Sequence, residues 1–248
     1  MRQIKITLAY DGTDYHGWQM QAGLATIQGE VEGVLEAIVK KHVIVEASGR
    51  TDAGVHALGQ TASFPLDNRM PCHNLQRAMN HLLPKAIRIL QVEDAAPRFH
   101  ARFDAKTKLY QYRMYREDVC PPSLCRYSAN YAYPLNEAAM VTAAAVFTGQ
   151  HNFASFAAKD ARYEKSDRTT IRRIFTSELR RQGPELIYTV RGDGFLKHMV
   201  RNIVGTLIEA GKGNFDDAGI ARLLEIPDRH AAGPTALPEG LCLLEVTY

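Results

Sequence analysis

Cysteine is scarce in this chain. Cys72, Cys120, Cys125 and Cys242 make no C-x-x-C pair and no metal-like spacing with histidine. Long apolar runs are missing: no stretch approaches the roughly 20 residues that cross a bilayer. Met1 leads straight into a strand-like segment rather than an apolar signal core. A soluble cytoplasmic protein with reduced thiols is the expectation. Several catalytic signatures are absent as well. "GKGNFD" at 211–216 lacks the third glycine of a dinucleotide fingerprint, and a phosphate loop ending at Gly211-Lys212 finds Thr206 and Gly213 where it needs Gly and Ser or Thr. No H-E-x-x-H, D-x-D or G-x-S-x-G occurs. No linker rich in Pro, Gly or Ser divides the chain, and no internal sequence repeat stands out.

What is present is an ordinary globular composition, 46% hydrophobic over 248 residues, with a net charge of +3. That balance permits a local nucleic-acid patch without demanding one. The cations cluster: Arg98, Arg102, Lys106, Lys108, Arg113 and Arg116 in one stretch, Arg162, Lys165, Arg168, Arg172, Arg173, Arg180 and Arg181 in another. Solvated faces and phosphate contacts both account for such clusters.

Periodicity predicts the elements. Ile4, Ile6 and Leu8 alternate with Lys5 and Thr7, the period of a half-buried strand. Thr26 can cap a helix bearing Ile27, Val31, Leu35 and Ile38 on one face. Strands at 43–47 and 60–64 flank a loop, a helix fits 73–83 with Leu75, Met79 and Leu82 inward, and 87–92 is another strand. In the second part, 108–115 alternates with Tyr110, Tyr112 and Met114 on one face. Asn136 caps an alanine-rich helix that Gly149 can end, strands follow at about 170–180 and 186–191, and helices at 195–210 and from Asp216 to 224. "LCLLEVTY" closes the chain as a strand. Short connections between neighbouring strands favour antiparallel pairing. The expectation is an α/β chain of two halves, 1–103 and 104–248, sharing a mainly antiparallel sheet flanked by helices, with the seam near 103–107.

The loop "EASGRTDAGVHALGQTASF" at 46–64 places Arg50 and Asp52 among glycines. Asp52 can bond a backbone amide in a turn to which Gly49 and Gly54 supply unusual dihedrals. It can equally be an ionised carboxylate, kept so by Arg50, that acts as a covalent nucleophile. Local spacing does not choose. On helix 195–210, Lys197 and Arg201 sit four apart at the border of an apolar arc formed by Leu196, Met199, Val200, Ile203, Val204 and Leu207. Either their stems snorkel or Arg201 is drawn inward by a buried carboxylate. Tyr110 and Tyr112, interleaved with Lys106, Lys108 and Arg113, suit either core packing or base stacking.

"GRTDAGVHALGQ" at 49–60 resembles the signature loop of the tRNA pseudouridine synthase A family. The resemblance continues through "AYDGTDYHGWQ" at 9–19, "HARFDAKTKLYQY" at 100–112, "GQHNFASF" at 149–156, "GFLKHMVRNIVG" at 194–205 and "AAGPTALPEGL" at 231–241. These blocks span nearly the full length in the family's order. Cys242 departs from it, standing where an aromatic is common, which bears on packing.

That resemblance implies an isomerase that converts uridine to pseudouridine at positions 38, 39 and 40 of the tRNA anticodon arm. It implies a pseudouridine synthase fold, a homodimer, and no cofactor or metal, because moving the ribose bond from N1 to C5 is redox-neutral. Asp52 is then the catalytic carboxylate, attacking C6 of the ring or C1′ of the ribose. Arg201 is the cation that keeps it ionised, Tyr110 stacks on the target uracil, and Arg50 fills the space left by the extruded base. Rival readings are a non-catalytic RNA-binding module on the same scaffold, a synthase with another RNA target, and a metal-dependent hydrolase using Asp52.

Overall fold

The computed structural model describes residues 1–158 and 169–248. The chain divides into two compact units, Met1–Lys106 with Cys242–Tyr248, and Thr107–Leu241. Both mix helices with mainly antiparallel strands, so the fold is α/β as expected.

In the first unit, β1 (Arg2–Tyr10) lies between β3 (His56–Leu66) and β4 (Ile87–Ala95), antiparallel to both. Its period-2 pattern puts Ile4, Ile6 and Leu8 on the core face, each 0% exposed. Burying such a side chain contributes about 1.5–3 kcal/mol. The closing strand, Leu241–Thr247, runs parallel to β3 with Cys242 opposite His56 and Leu243 opposite Ala57. Helix α1 (Ile27–Val39) starts where Thr26 Oγ1 accepts from Gly29 N at 3.3 Å, and it buries Ile27, Val31 and Leu35. Helix α2 (Cys72–Leu82) packs on β4 and buries Leu75 and Met79. Leu82, expected inward, is half exposed, and Leu83 takes its place in the core.

The strand expected at 43–47 shrinks to β2 (Glu46–Ala47), which pairs with Ser63 and Ala62. The reason is that α1 side chains satisfy the backbone of Val45: its N donates to Glu32 Oε1 at 2.8 Å and its O accepts from Gln28 Nε2 at 3.3 Å. Val43 and Val45 are still buried. On the other flank β3 begins four residues earlier than expected, at His56.

The second unit orders its strands β5 (Thr107–Tyr115), β9 (Glu185–Gly192), β8 (Ile171–Gln182) and β7 (Gly149–Asn152), all antiparallel neighbours. A short β6 (Ala129–Asn130) lies parallel to β5 and follows the one-turn α3 (Pro122–Cys125). Helix α4 (Glu137–Val146) is capped by Asn136, whose Oδ1 accepts from Ala139 N at 3.1 Å. It ends at Phe147 rather than at Gly149, which starts β7. Helices α5 (Met199–Gly211) and α6 (Asp217–Glu225) pack on α4, and Asp216 caps α6 with Oδ1 accepting from Gly219 N at 2.7 Å.

The helix expected from 195 begins only at Met199. His198 takes φ +60°, outside helical geometry, and Met199 N closes a turn onto Leu196 O at 3.1 Å. Lys197 therefore lies on an exposed turn, and the expected placement of Lys197 and Arg201 four apart on one helix is not formed.

Candidate active site

In the first unit the loop joining β2 to β3, residues 48–55, carries Arg50 and Asp52. Arg50 is exposed and Asp52 partly buried. The loop is anchored from beneath by the end of β1. Tyr10 and Thr51 share a hydrogen bond of 2.9 Å between their hydroxyls, and Trp18 N donates to Thr51 O at 3.1 Å. Gln60, 0% exposed, ties both sides: Nε2 donates to Gly49 O at 2.9 Å and to Tyr10 Oη at 3.4 Å, while Oε1 accepts from Ser48 Oγ at 2.6 Å and Thr61 N at 3.2 Å. Burial holds the Tyr10 hydroxyl protonated, far above its ordinary range. A neutral, fully engaged anchor of this kind fixes backbone position better than a mobile charge.

Asp52 O accepts from Val55 N at 3.2 Å, so the turn is closed by backbone, with Gly54 at φ +77°. Gly49 does not take the positive φ expected of it; its part is the carbonyl that Gln60 holds. Gly12 lets the segment 10–18 lie directly on the loop, since a Cβ there would meet Val55 O at 2.0 Å. His56 Nδ1 accepts from Gly12 N at 3.1 Å and lies 3.3 Å from Asp11 Oδ1.

In the second unit Tyr110, on β5 opposite Val190, is 7% exposed, and its ring meets Phe195 edge-on at 5.1 Å. Phe195 belongs to the turn that leads into α5, the helix bearing Arg201. Tyr112, on the same face, is a core residue: its Oη donates to Leu237 O at 2.9 Å and lies 3.3 Å from Tyr131 Oη, and burial raises its pKa.

Arg201 is partly buried and braced by the 231–241 segment. Its Nε donates to Ala236 O at 2.8 Å, and Ala236 N donates to Arg201 O at 3.1 Å. That segment is stitched to α5 through the buried Asn202, whose Oδ1 accepts from Thr235 Oγ1 at 2.7 Å and Arg229 Nη2 at 3.0 Å. The backbones approach closely at Gly205, where a Cβ would meet Pro234 O at 1.6 Å. Gly205→Val should therefore push the segment off α5, lower the thermal midpoint by several degrees through overpacking of about 1–3 kcal/mol or more, and displace Arg201. A differential scanning measurement showing an unchanged midpoint would contradict this contact.

The cation clusters do not all face solvent as free charge. Arg113 pairs with Glu185, whose carboxyl it holds below the usual range through a hydrogen bond. Arg116 and Arg181 both reach Glu137, at 3.2 and 2.6 Å, and Arg180 reaches Glu178 at 2.6 Å. Arg98, Arg102 and Lys106 are exposed in the first unit. Arg162, Lys165 and Arg168 lie outside the described residues. Among the described residues no group of three His, Cys, Asp or Glu side chains is placed to hold a metal ion, and no helix is long and apolar enough to cross a membrane.

Reading by motif did not single out Tyr10, Gln60, Phe195 or Asn202 as supports. All four stand within motif blocks, and the signal for Tyr10, Gln60 and Asn202 is burial of a polar group, which only contacts reveal.

A family model described as tRNA pseudouridine synthase matches residues 6–104 and 143–248. The chain is 53% identical over 248 residues to "tRNA pseudouridine synthase A" of Solibacter usitatus, covering all of both chains. It is 42% identical over 251 residues to "tRNA pseudouridine synthase A 1" of Desulfotalea psychrophila, and 42% identical over 248 residues to the "tRNA pseudouridine synthase A" of Geobacter sulfurreducens, again covering all of both chains in each case. With its anchored R-T-D loop and full-length similarity to these enzymes, the chain belongs to the tRNA pseudouridine synthase family and is an isomerase of uridine in tRNA.

Proposed function

We propose that the protein isomerises uridines 38, 39 and 40 in the anticodon arm of tRNA, without a cofactor, with Asp52 as the nucleophile. The observation that supports this most is the anchoring of the Asp52 loop: Tyr10, Gln60 and Gly12 hold its backbone on both sides of the carboxylate. A nucleophile gains from a fixed approach to the reacting atom, whereas a turn aspartate serving only its own loop requires no such buried support.

Arg201 keeps the Asp52 carboxylate ionised, which nucleophilic attack requires. Its guanidinium is held by the bond to Ala236 O. Tyr110 stacks on the target uracil, and Arg50, exposed on the same loop as Asp52, fills the space that the extruded base leaves. The bond moved from N1 to C5 stays within one nucleotide, so electrons balance without an oxidant or reductant.

The protein acts as a homodimer with equal clefts. Equilibrium sedimentation at micromolar concentration tests this, and a monomer binding tRNA with full activity would remove it. Position is tested by treating unmodified tRNA transcripts with the protein and mapping pseudouridine by carbodiimide-dependent reverse-transcription stops. Stops at 38–40 are expected, and stops confined to another arm would overturn the assignment.

Salt supplies a further check. Each phosphate contact adds about 0.7–0.9 to the slope of log affinity against log salt, so four contacts from the exposed cations give a slope near −3. Filter binding across 50–300 mM salt should show that steep decline; a flat response would refute phosphate contacts by these residues.

A further inference from the structure

Phe103 is 72% exposed, the most exposed aromatic side chain among the described residues. A lone exposed apolar side chain needs no explanation in itself, but the turn beneath this one is tightly built. Ala101, 0% exposed, donates from N to Ser63 Oγ at 3.0 Å, and its O accepts from Tyr248 Oη at 2.8 Å. Asp104 closes the turn: Oδ2 accepts from His100 N at 2.8 Å, and Asp104 N donates to His100 O at 3.1 Å. His100 Nδ1 accepts from Arg102 N at 3.1 Å, which sets the imidazole plane. The His100 ring then backs Phe103 at 4.3 Å, and the Arg102 guanidinium stands 5.8 Å from the Phe103 ring centre.

The result is an aromatic ring held out to solvent on a fixed turn, supported by an imidazole and flanked by cations, with Arg98 and Lys106 exposed on either side in sequence. Aromatic faces beside arginine are how unpaired bases are held without sequence choice: the ring takes the base and the cation takes the phosphate.

We propose that Phe103, backed by His100, is a stacking platform for an unpaired base of the RNA substrate, with Arg102 on the adjoining phosphate. This rests on the reading that the protein binds tRNA. The nucleotide held is not the one isomerised, because the target uracil is assigned to Tyr110 in the proposed mechanism. The platform therefore sets register and affinity rather than chemistry.

The test uses the full chain and an unmodified tRNA transcript. Phe103→Ala should weaken binding roughly five- to a hundredfold while leaving the salt slope unchanged, because no phosphate contact is lost. Arg102→Gln should reduce the slope by about one. Phe103→Trp should keep affinity, and since the single native Trp18 is 2% exposed, the introduced indole dominates the long-wavelength emission and should be quenched on adding tRNA. Equal thermal midpoints guard against misfolding, which an exposed position makes a minor concern.

Wild-type affinity in Phe103→Ala together with an unquenched indole in Phe103→Trp would overturn the platform while leaving the enzymatic reading intact. A changed sedimentation coefficient in Phe103→Ala without tRNA would overturn it in favour of a contact between copies of this chain. Failure of the wild type itself to bind tRNA would overturn both readings.

Discussion

Asp52→Ala should release no tritium above background from tRNA labelled at uracil C5, with a loss of turnover of roughly 10⁴-fold or more, the scale of removing a covalent nucleophile. Wild-type protein should release label without added metal or nucleotide. The loop should survive the change. The loop is held through Asp52 O, Thr51 Oγ1 and Gly49 O, bonds that the substitution keeps. Binding of tRNA and the thermal midpoint should therefore stay near wild type. That combination separates a catalytic carboxylate from a structural one. If Asp52→Ala turned over normally, the nucleophile assignment would fail and Asp52 would return to being a turn residue. If the wild type bound tRNA but released nothing, the non-catalytic binding module would be the better reading.

Arg201→Met should lower turnover by roughly a hundred- to a thousandfold, the scale of losing one charge-stabilising contact at a reacting group, with much less change in tRNA affinity. The methionine stem keeps apolar contact, and the losses include the charge and the bond to Ala236 O. Stability should fall modestly, because Asn202, Thr235 and Arg229 still fasten the 231–241 segment. The more telling readout is single turnover at saturating tRNA, which should fall by a similar factor because binding is not what is lost. Arg201→Lys keeps a charge but loses the fork of donors, and should recover part of the turnover. An effect on affinity alone would assign Arg201 to phosphate binding.

Much of the architecture follows from local pattern. The alternation of β1 and β5, the caps at Thr26, Asn136 and Asp216, and the burial of Ile203, Val204 and Leu207 on α5 are visible from residue types alone. So is the loop of Arg50 and Asp52. Errors arose where a distant side chain intervened. Residues 43–47 look like a strand, but Glu32 and Gln28 of α1 take the hydrogen bonds of Val45. Residues 195–198 continue an apolar helical pattern, but His198 leaves helical geometry and α5 starts after it. Within the cation runs, residue counts do not show which charges have carboxylate partners; Arg113, Arg116, Arg180 and Arg181 do.

The sequence by itself determined most of the strands and helices and the residue types offered by the Asp52 loop, because those depend on side-chain periodicity and on dihedral preferences within a few neighbours. Only the tertiary structure decided that the closing strand lies parallel to β3, that Gln60 and Tyr10 hold the Asp52 loop, that Ala236 braces Arg201, and that Phe103 faces water. The first three join residues far apart in the chain. A buried donor or acceptor takes whichever partner the packing brings within about 3 Å, and no local pattern records that choice.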